Sequence, residues 1–323
     1  MKNSAISRET ILAIVIISLI LIISTRFPAF IEINNLLAVF NDSAPLMILA
    51  IAQMVVILTR CIDLSVAAIL ALTGMICAMV NVAFPELPIV FIILISILTG
   101  LFLGAINGFF VWIVKIPPIV VTLGTMTIYR GLIFVISEGK WVNAHEMSEG
   151  FKAFPREHFF FMPMLSWVAI LVIILFYILL SRFPLGRSFY AIGGNPYAAV
   201  YAGLNVGKTQ FLAFVLSGGL SGLVGYLWVS RYSVAYVDIA IGFELDVVAA
   251  CVIGGISIMG GVGSLIGAVQ GALFLGVIKN ALPVINISPF WQMAISGSAI
   301  VIAVILNAKS TARKGRNILK KEK

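Results

Sequence analysis

A chain of 323 residues that is 61% hydrophobic and only 11% charged is excluded from the soluble globular class, where about a quarter of residues carry charge. Its mean hydropathy of +1.14 and its long apolar runs require a lipid solvent, and the lack of period-two alternation excludes an outer-membrane barrel. The net charge of +8 does not point to nucleic acid, because seven of the Lys and Arg crowd into the last fifteen residues (Lys309, Arg313, Lys314, Arg316, Lys320, Lys321 and Lys323), where a basic tail follows an apolar span.

The predicted architecture is all-α: a single polytopic transmembrane bundle over residues 1–323. In chain order the apolar segments fall near 11–24, 44–59, 65–82, 89–114, 119–137, 165–181, 209–229, 243–259, 264–282 and 289–307, about ten spans. The first has no small-x-small cleavage site after Ser24 and reads as a retained span. Several segments are short or rich in Gly, which suits helices buried in protein rather than facing lipid. With both termini on the cytoplasmic side, fourteen Lys and Arg fall inside and seven outside, as the positive-inside rule favours.

Two connections are long enough to carry function. Residues 138–164 are expected outside. Their His145, Glu146, Glu149, Glu157 and His158 lack a metal-ligand spacing and read as a solvated face. Cys61, Cys77 and Cys251 are odd in number, show no C-x-x-C spacing and read as packed thiols. No metal or cofactor is expected. Residues 182–208 are expected inside. There Ala202-Gly203-Leu204-Asn205-Val206-Gly207-Lys208-Thr209 mimics a phosphate loop, but Ala202 stands where the strict pattern needs Gly, and no strand and α/β domain surround it. A better reading is a short capped helix, with Asn195 as N-cap, Pro196 at the first position and Gly203 in the left-handed position past its end. Small Ala198 and Ala199 leave a surface that a partner's groove could receive.

Two stretches match each other. Gly100, Gly104 and Gly108 recur every four residues, as do Gly263, Gly267 and Gly271. That spacing stripes one helix face and lets backbones approach closely. Asn107 and Gln270 lie beside the stripes. Asp63 precedes Val66-Ala67-Ala68 much as Asp246 precedes Val248-Ala249-Ala250. Five spans separate the copies, so the second would be inverted in the membrane; a chance likeness of Gly-rich helices is the alternative. A passing solute needs weak polar partners, and Gln53, Asn107, Glu244, Asp246 and Gln270 are the candidates for a pathway.

The chain resembles the permease subunits of bacterial monosaccharide importers of the ATP-binding-cassette class, the ribose–xylose–arabinose permease group. The stretch from Arg60 through Asp63 to Val66 resembles that group's Gly-Ile-Asp-Leu-Ser-Val-Gly motif, although Arg60, Cys61 and Ala67 replace its usual glycines. Residues 183–199, with Gly186, Arg187, Gly193, Gly194, Asn195, Pro196, Ala198 and Ala199, look like its coupling loop. Glu244 to Gly255 and Gly260-Gly261-Val262-Gly263 look like its C-terminal signature. Leu58 to Asp63, Lys115 to Gly124, Gly139 to Val142 and Ser288 to Met293 look closest to L-rhamnose and autoinducer-2 permeases. The resemblance implies a cytoplasmic ATPase gripping residues 182–208, a periplasmic sugar-binding protein, a second permease chain (identical or paralogous) and an inner-membrane location. It implies a transport subunit rather than an enzyme, with L-rhamnose the first candidate cargo and autoinducer-2 or another pentose or hexose next. The rival readings are an ion-coupled secondary transporter and an intramembrane glycosyl-transfer enzyme. The latter would need acidic or His residues gathered within the membrane.

Overall fold

The computed structural model describes residues 7–284 together with Ser288, Trp291, Ala294, Gly297, Ser298 and Val301. The segment expected at 289–307 and the basic tail lie largely outside these residues. The described chain is helical: α1 (Arg8–Ser24), α2 (Ile33–Leu58), α3 (Val66–Ala83), α4 (Ile89–Trp112), α5 (Pro118–Ser137), α6 (Glu149–Ala153), α7 (Met164–Arg182), α8 (Pro184–Gly194), α9 (Pro196–Tyr201), α10 (Val206–Tyr232), α11 (Phe243–Ile253) and α12 (Leu265–Val284). One two-stranded hairpin, β1 (His158–Phe159) with β2 (Met162–Pro163), lies between α6 and α7.

Seven of these helices, α2, α3, α4, α5, α7, α10 and α12, are long and apolar enough to cross a membrane. α1 runs 17 residues and α11 only 11. The segment expected at 243–259 is therefore not one helix. It stops at Ile253, and Gly255, Gly260, Gly261 and Gly263 all take positive φ beyond it, a conformation that ends a helix. α7 is 19 residues long and at ~1.5 Å per residue separates two ends of the bundle. One end carries the β1–β2 hairpin and the other carries α8 and α9; they are called here the hairpin end and the knob end.

α2 is the axis. In its most apolar stretch 89% of residues are buried, against 28% in α4 and in α5. Phe102, Phe134, Val135 and Leu171 stand exposed on the outer helices, as side chains facing lipid would. The helix begins eleven residues before the expected 44 and runs through Pro45. A proline there removes the N–H that would bond the Asn41 carbonyl. Arg231 of α10 fills the gap: Nη1 donates to the Asn41 carbonyl at 3.0 Å and Nη2 pairs with the Asp42 carboxylate. Replacing Arg231 with Met is expected to cost about 1.5–3 kcal/mol, the range for hydrogen bonds to a charged group. In a Pro45→Ala background the Asn41 carbonyl regains a backbone partner and the loss should be smaller. A thermal double-mutant cycle in detergent reads the difference; equal losses in both backgrounds would refute the compensation.

The two expected glycine stripes differ in their partners. Gly100 and Gly104 of α4 press on Gly218 and Gly222 of α10, so closely that a Cβ on any of the four would strike backbone. The Ser96 hydroxyl donates to the Gly222 carbonyl at 2.5 Å across the same crossing, and Gly108 faces Phe211. In the second stripe, Gly267 and Gly271 of α12 press on the Gly254 and Ala250 carbonyls at the end of α11. Gly263 is not part of a helical stripe: it precedes α12 with φ 156° and a Cβ there would meet Ile256. The two copies of the expected repeat are thus unequal in packing as well as in link length. All three cysteines are free and buried.

Candidate functional site

The knob is built from local rules. Pro184 and Pro196 start α8 and α9, where a missing N–H costs nothing. Asn195 Oδ1 accepts from the Ala198 N–H at 3.1 Å, and Gly203 closes α9 at φ 82° with its N–H on the Val200 carbonyl at 2.9 Å. The phosphate-loop look-alike is the adjoining link: Asn205 Oδ1 accepts from the Lys208 N–H at 2.9 Å and caps α10, while Gly207 lies against Trp112. Tyr197 is 82% and Tyr201 92% exposed, with Val200 beside them. These side chains form a bare, partly aromatic face on the knob. Ala198 belongs to this outer face together with Tyr197, Val200 and Tyr201, whereas Ala199, expected beside Ala198 on that surface, is buried. Arg187 is also exposed. Gly186 is buried against the Leu179 carbonyl at the end of α7.

Three regions singled out in the sequence meet at the junction of α8 and α9. Gly193 has no room for a Cβ, because the Leu58 carbonyl and Gly261 N–H occupy the space. Gly261 N–H donates to the Leu58 carbonyl at 3.0 Å. Arg60, just past α2, donates from Nε to the Gly193 carbonyl at 2.8 Å and from Nη2 to the Gly194 carbonyl at 3.0 Å. Those are the last two carbonyls of α8, which have no intrahelical partners, and a cation is favoured there. Arg60 itself has φ 66°, a left-handed conformation costing a non-glycine residue about 1–2 kcal/mol. Glycine would hold it without strain.

The pathway candidates divide. Gln53 and Asn107 are fully buried in a network around Asp63. With its amide turned to suit its neighbours, Gln53 donates to the Asp63 carbonyl at 3.0 Å and accepts from the Asp63 N–H at 3.2 Å. Asp63 Oδ1 accepts from the Ser65 N–H and hydroxyl at 2.9 and 2.6 Å, and Oδ2 from the Ser217 hydroxyl at 3.1 Å. Asn107 Nδ2 donates to the Ser65 hydroxyl at 2.8 Å. This network ties α2, α3, α4 and α10 together, and Asn107 Oδ1 is buried in it without a hydrogen-bond partner among the described residues. Gln270 is half-buried on α12, and its Oε1 has no hydrogen-bond partner among the described residues.

Glu244 and Asp246 lie in the first turn of α11, at the hairpin end. The Lys279 ammonium donates to Asp246 Oδ2 at 2.8 Å and sits 5.0 Å from the Phe243 ring centroid. It borders a cavity of about 410 Å³, walled by Trp228, Tyr232 and Phe243 and by the Asp42–Arg231 pair. Trp228 packs edge-on to Phe243 at 4.9 Å. Flat aromatic faces with paired charges at the rim can hold a polyhydroxylated solute by its apolar face and its hydroxyls. Sequence reasoning missed the cavity. Lys279 falls within the expected 264–282 span, while Asp42 and Arg231 lie just outside 44–59 and 209–229, and their pairing needs the fold.

The family described as branched-chain amino acid transport system / permease component matches residues 35–304. The chain is 37% identical over 295 residues to the ribose import permease protein of Haemophilus influenzae, covering 90% of each. It is 37% identical over 294 residues to the Bacillus subtilis ribose import permease protein, covering 91% of each. It is 31% identical over 312 residues to the autoinducer 2 import system permease protein of Salmonella typhi, covering 97% of this chain and 89% of that one. No solved structure matches.

Proposed function

We propose that this chain, which belongs to the family of branched-chain amino acid transport system permease components, is the membrane subunit of an ATP-driven importer whose cargo is a monosaccharide. It is a transport subunit rather than an enzyme, as its relatives are. The observation that carries the sugar reading is the 37% identity to ribose import permeases over nine-tenths of each chain. L-rhamnose is the first cargo to test, then D-ribose and autoinducer 2. A separate ATPase seats on Tyr197, Ala198, Val200 and Tyr201. A binding protein delivers sugar at the hairpin end. Two permease chains, identical or paralogous, flank the pore. Glu244, Asp246 and Gln270 border the pathway, and Lys279, Trp228 and Phe243 join them, since they wall the cavity beside Asp246.

Purified complex in liposomes, with its ATPase inside and binding protein outside, should accumulate one of these sugars only with ATP and not with vanadate. Accumulation driven by an ion gradient without ATP would sink the reading. Both termini and the knob lie in the cytoplasm, and residues 138–164 face the periplasm. The native cysteines are buried, so Tyr201→Cys and His145→Cys can be labelled singly. An impermeant maleimide on intact spheroplasts should reach His145→Cys and not Tyr201→Cys; the reverse pattern inverts the topology.

A further inference from the structure

We infer that Arg60 is the residue that fastens the knob to the membrane helices: a positioning residue for coupling rather than a contact for sugar. The inference rests on the importer reading above. Arg60 holds two successive carbonyls, Gly193 and Gly194, through two nitrogens of one planar guanidinium. A rigid two-point grip fixes orientation as well as distance. The gripped carbonyls end α8, and the next residue, Asn195, caps α9. The grip therefore lies at the hinge between the two knob helices.

What stands behind Arg60 gives the grip its reach. Its backbone leaves the end of α2, whose Leu58 carbonyl is held by the Gly261 N–H at 3.0 Å and whose Thr59 carbonyl is held by Gln210 of α10 at 3.2 Å. Gly261 lies in the break between α11 and α12. A displacement of the knob thus passes directly to α2 and to that break. These same elements carry Asp42 and Phe243 to the cavity at the hairpin end. Without Arg60 the knob still touches α2 through Gly193, but it loses both side-chain hydrogen bonds that tie it there.

The strained backbone supplies a test that separates coupling from stability. At φ 66° glycine is the residue of least strain. If Arg60 served only to shape the turn, Arg60→Gly would be harmless. If it fastens the knob, Arg60→Gly should assemble fully and yet fail to couple. Arg60→Lys keeps the charge but has one nitrogen and cannot span both carbonyls as a fork, so it should fall between. The assay uses the assembled complex with its ATPase and binding protein in liposomes, and radiolabelled L-rhamnose and D-ribose as probes. For Arg60→Gly we expect parental yield of complex and at least a tenfold loss of uptake. We also expect ATP hydrolysis that no longer rises when loaded binding protein is added. Arg60→Gly uptake within twofold of the parent would overturn the inference and leave the importer reading intact. Loss of the assembled complex in both variants would also overturn it, assigning Arg60 to folding. A parent that accumulates neither probe in an ATP-dependent way would remove the importer reading itself, and the inference with it.

Discussion

Gly104→Leu is expected to abolish uptake and to cut sharply the amount of assembled protein. At its crossing with α10, a Cβ on Gly104 would overlap the Phe214 carbonyl oxygen and stand 3.0 Å from the Gly218 Cα. The reciprocal Cβ on Gly218 would stand 2.7 Å from the Gly104 Cα. The obstacles are backbone, which cannot rotate aside as a flexible side chain can. Within lipid, helices associate through close packing rather than through the hydrophobic effect, so separating α4 from α10 removes what holds them. Overpacking costs about 1–3 kcal/mol where neighbours can yield, and more where they cannot. Gly267→Leu, facing the Gly254 carbonyl, should behave similarly. Gly124→Leu is the control: beyond its own helix backbone and chain neighbours, no atom of the described residues lies within 4 Å of its Cβ position, and leucine is the better helix former. Membrane abundance and detergent size-exclusion profiles read the outcome. Normal assembly and transport by Gly104→Leu would remove the close-packed crossing from the account.

How much of this could be read from the sequence depended on whether the deciding interaction was local. The caps of the knob are local, and Asn195, Pro196 and Gly203 appear in the roles their chemistry predicts. The glycine spacing was legible on α4, yet its partner on α10 was not. Gly218 and Gly222 show the same spacing, and periodicity says which face is small without saying what meets it. The start of α2 was missed because Asn34, Asn35, Asn41 and Asp42 dilute its apolar pattern. Asn41 and Asp42 have distant partners, since Ser166 donates to Asn41 Oδ1 at 2.9 Å and Arg231 pairs with Asp42, whereas Asn35 Nδ2 donates locally to the Phe30 carbonyl at 3.1 Å. The break after Ile253 was missed for the opposite reason, since Gly254 to Met259 remain apolar enough to pass for a span. A polar residue in a span does not reveal its direction, so the sequence does not say what Gln53 and Asn107 face. Both stand in the buried network around Asp63, where Asn107 Oδ1 has no hydrogen-bond partner among the described residues. Arg60 appeared only as a departure from a glycine motif, and its partners lie more than 130 positions away.

The central claim is that ATP-driven motion enters this chain through the knob, and Ala198→Arg tests it most directly. Ala198 is exposed on α9, and its contribution to the cap is a backbone N–H that any residue supplies. Arginine is among the better helix formers, so α9 should fold and the chain should insert normally. The added bulk and charge can matter only where something seats on that face. Lys208→Ala is the contrast, because Lys208 supplies α10 with a backbone N–H at its cap and leaves its side chain exposed. The measurement is uptake together with ATP hydrolysis by the reconstituted complex, with and without loaded binding protein. The account predicts that Ala198→Arg inserts at parental levels, loses at least about tenfold in uptake (about 1.4 kcal/mol at the coupling step), and hydrolyses ATP without responding to the binding protein, while Lys208→Ala stays near the parent. Parental uptake by Ala198→Arg, or equal damage by Lys208→Ala, would contradict it.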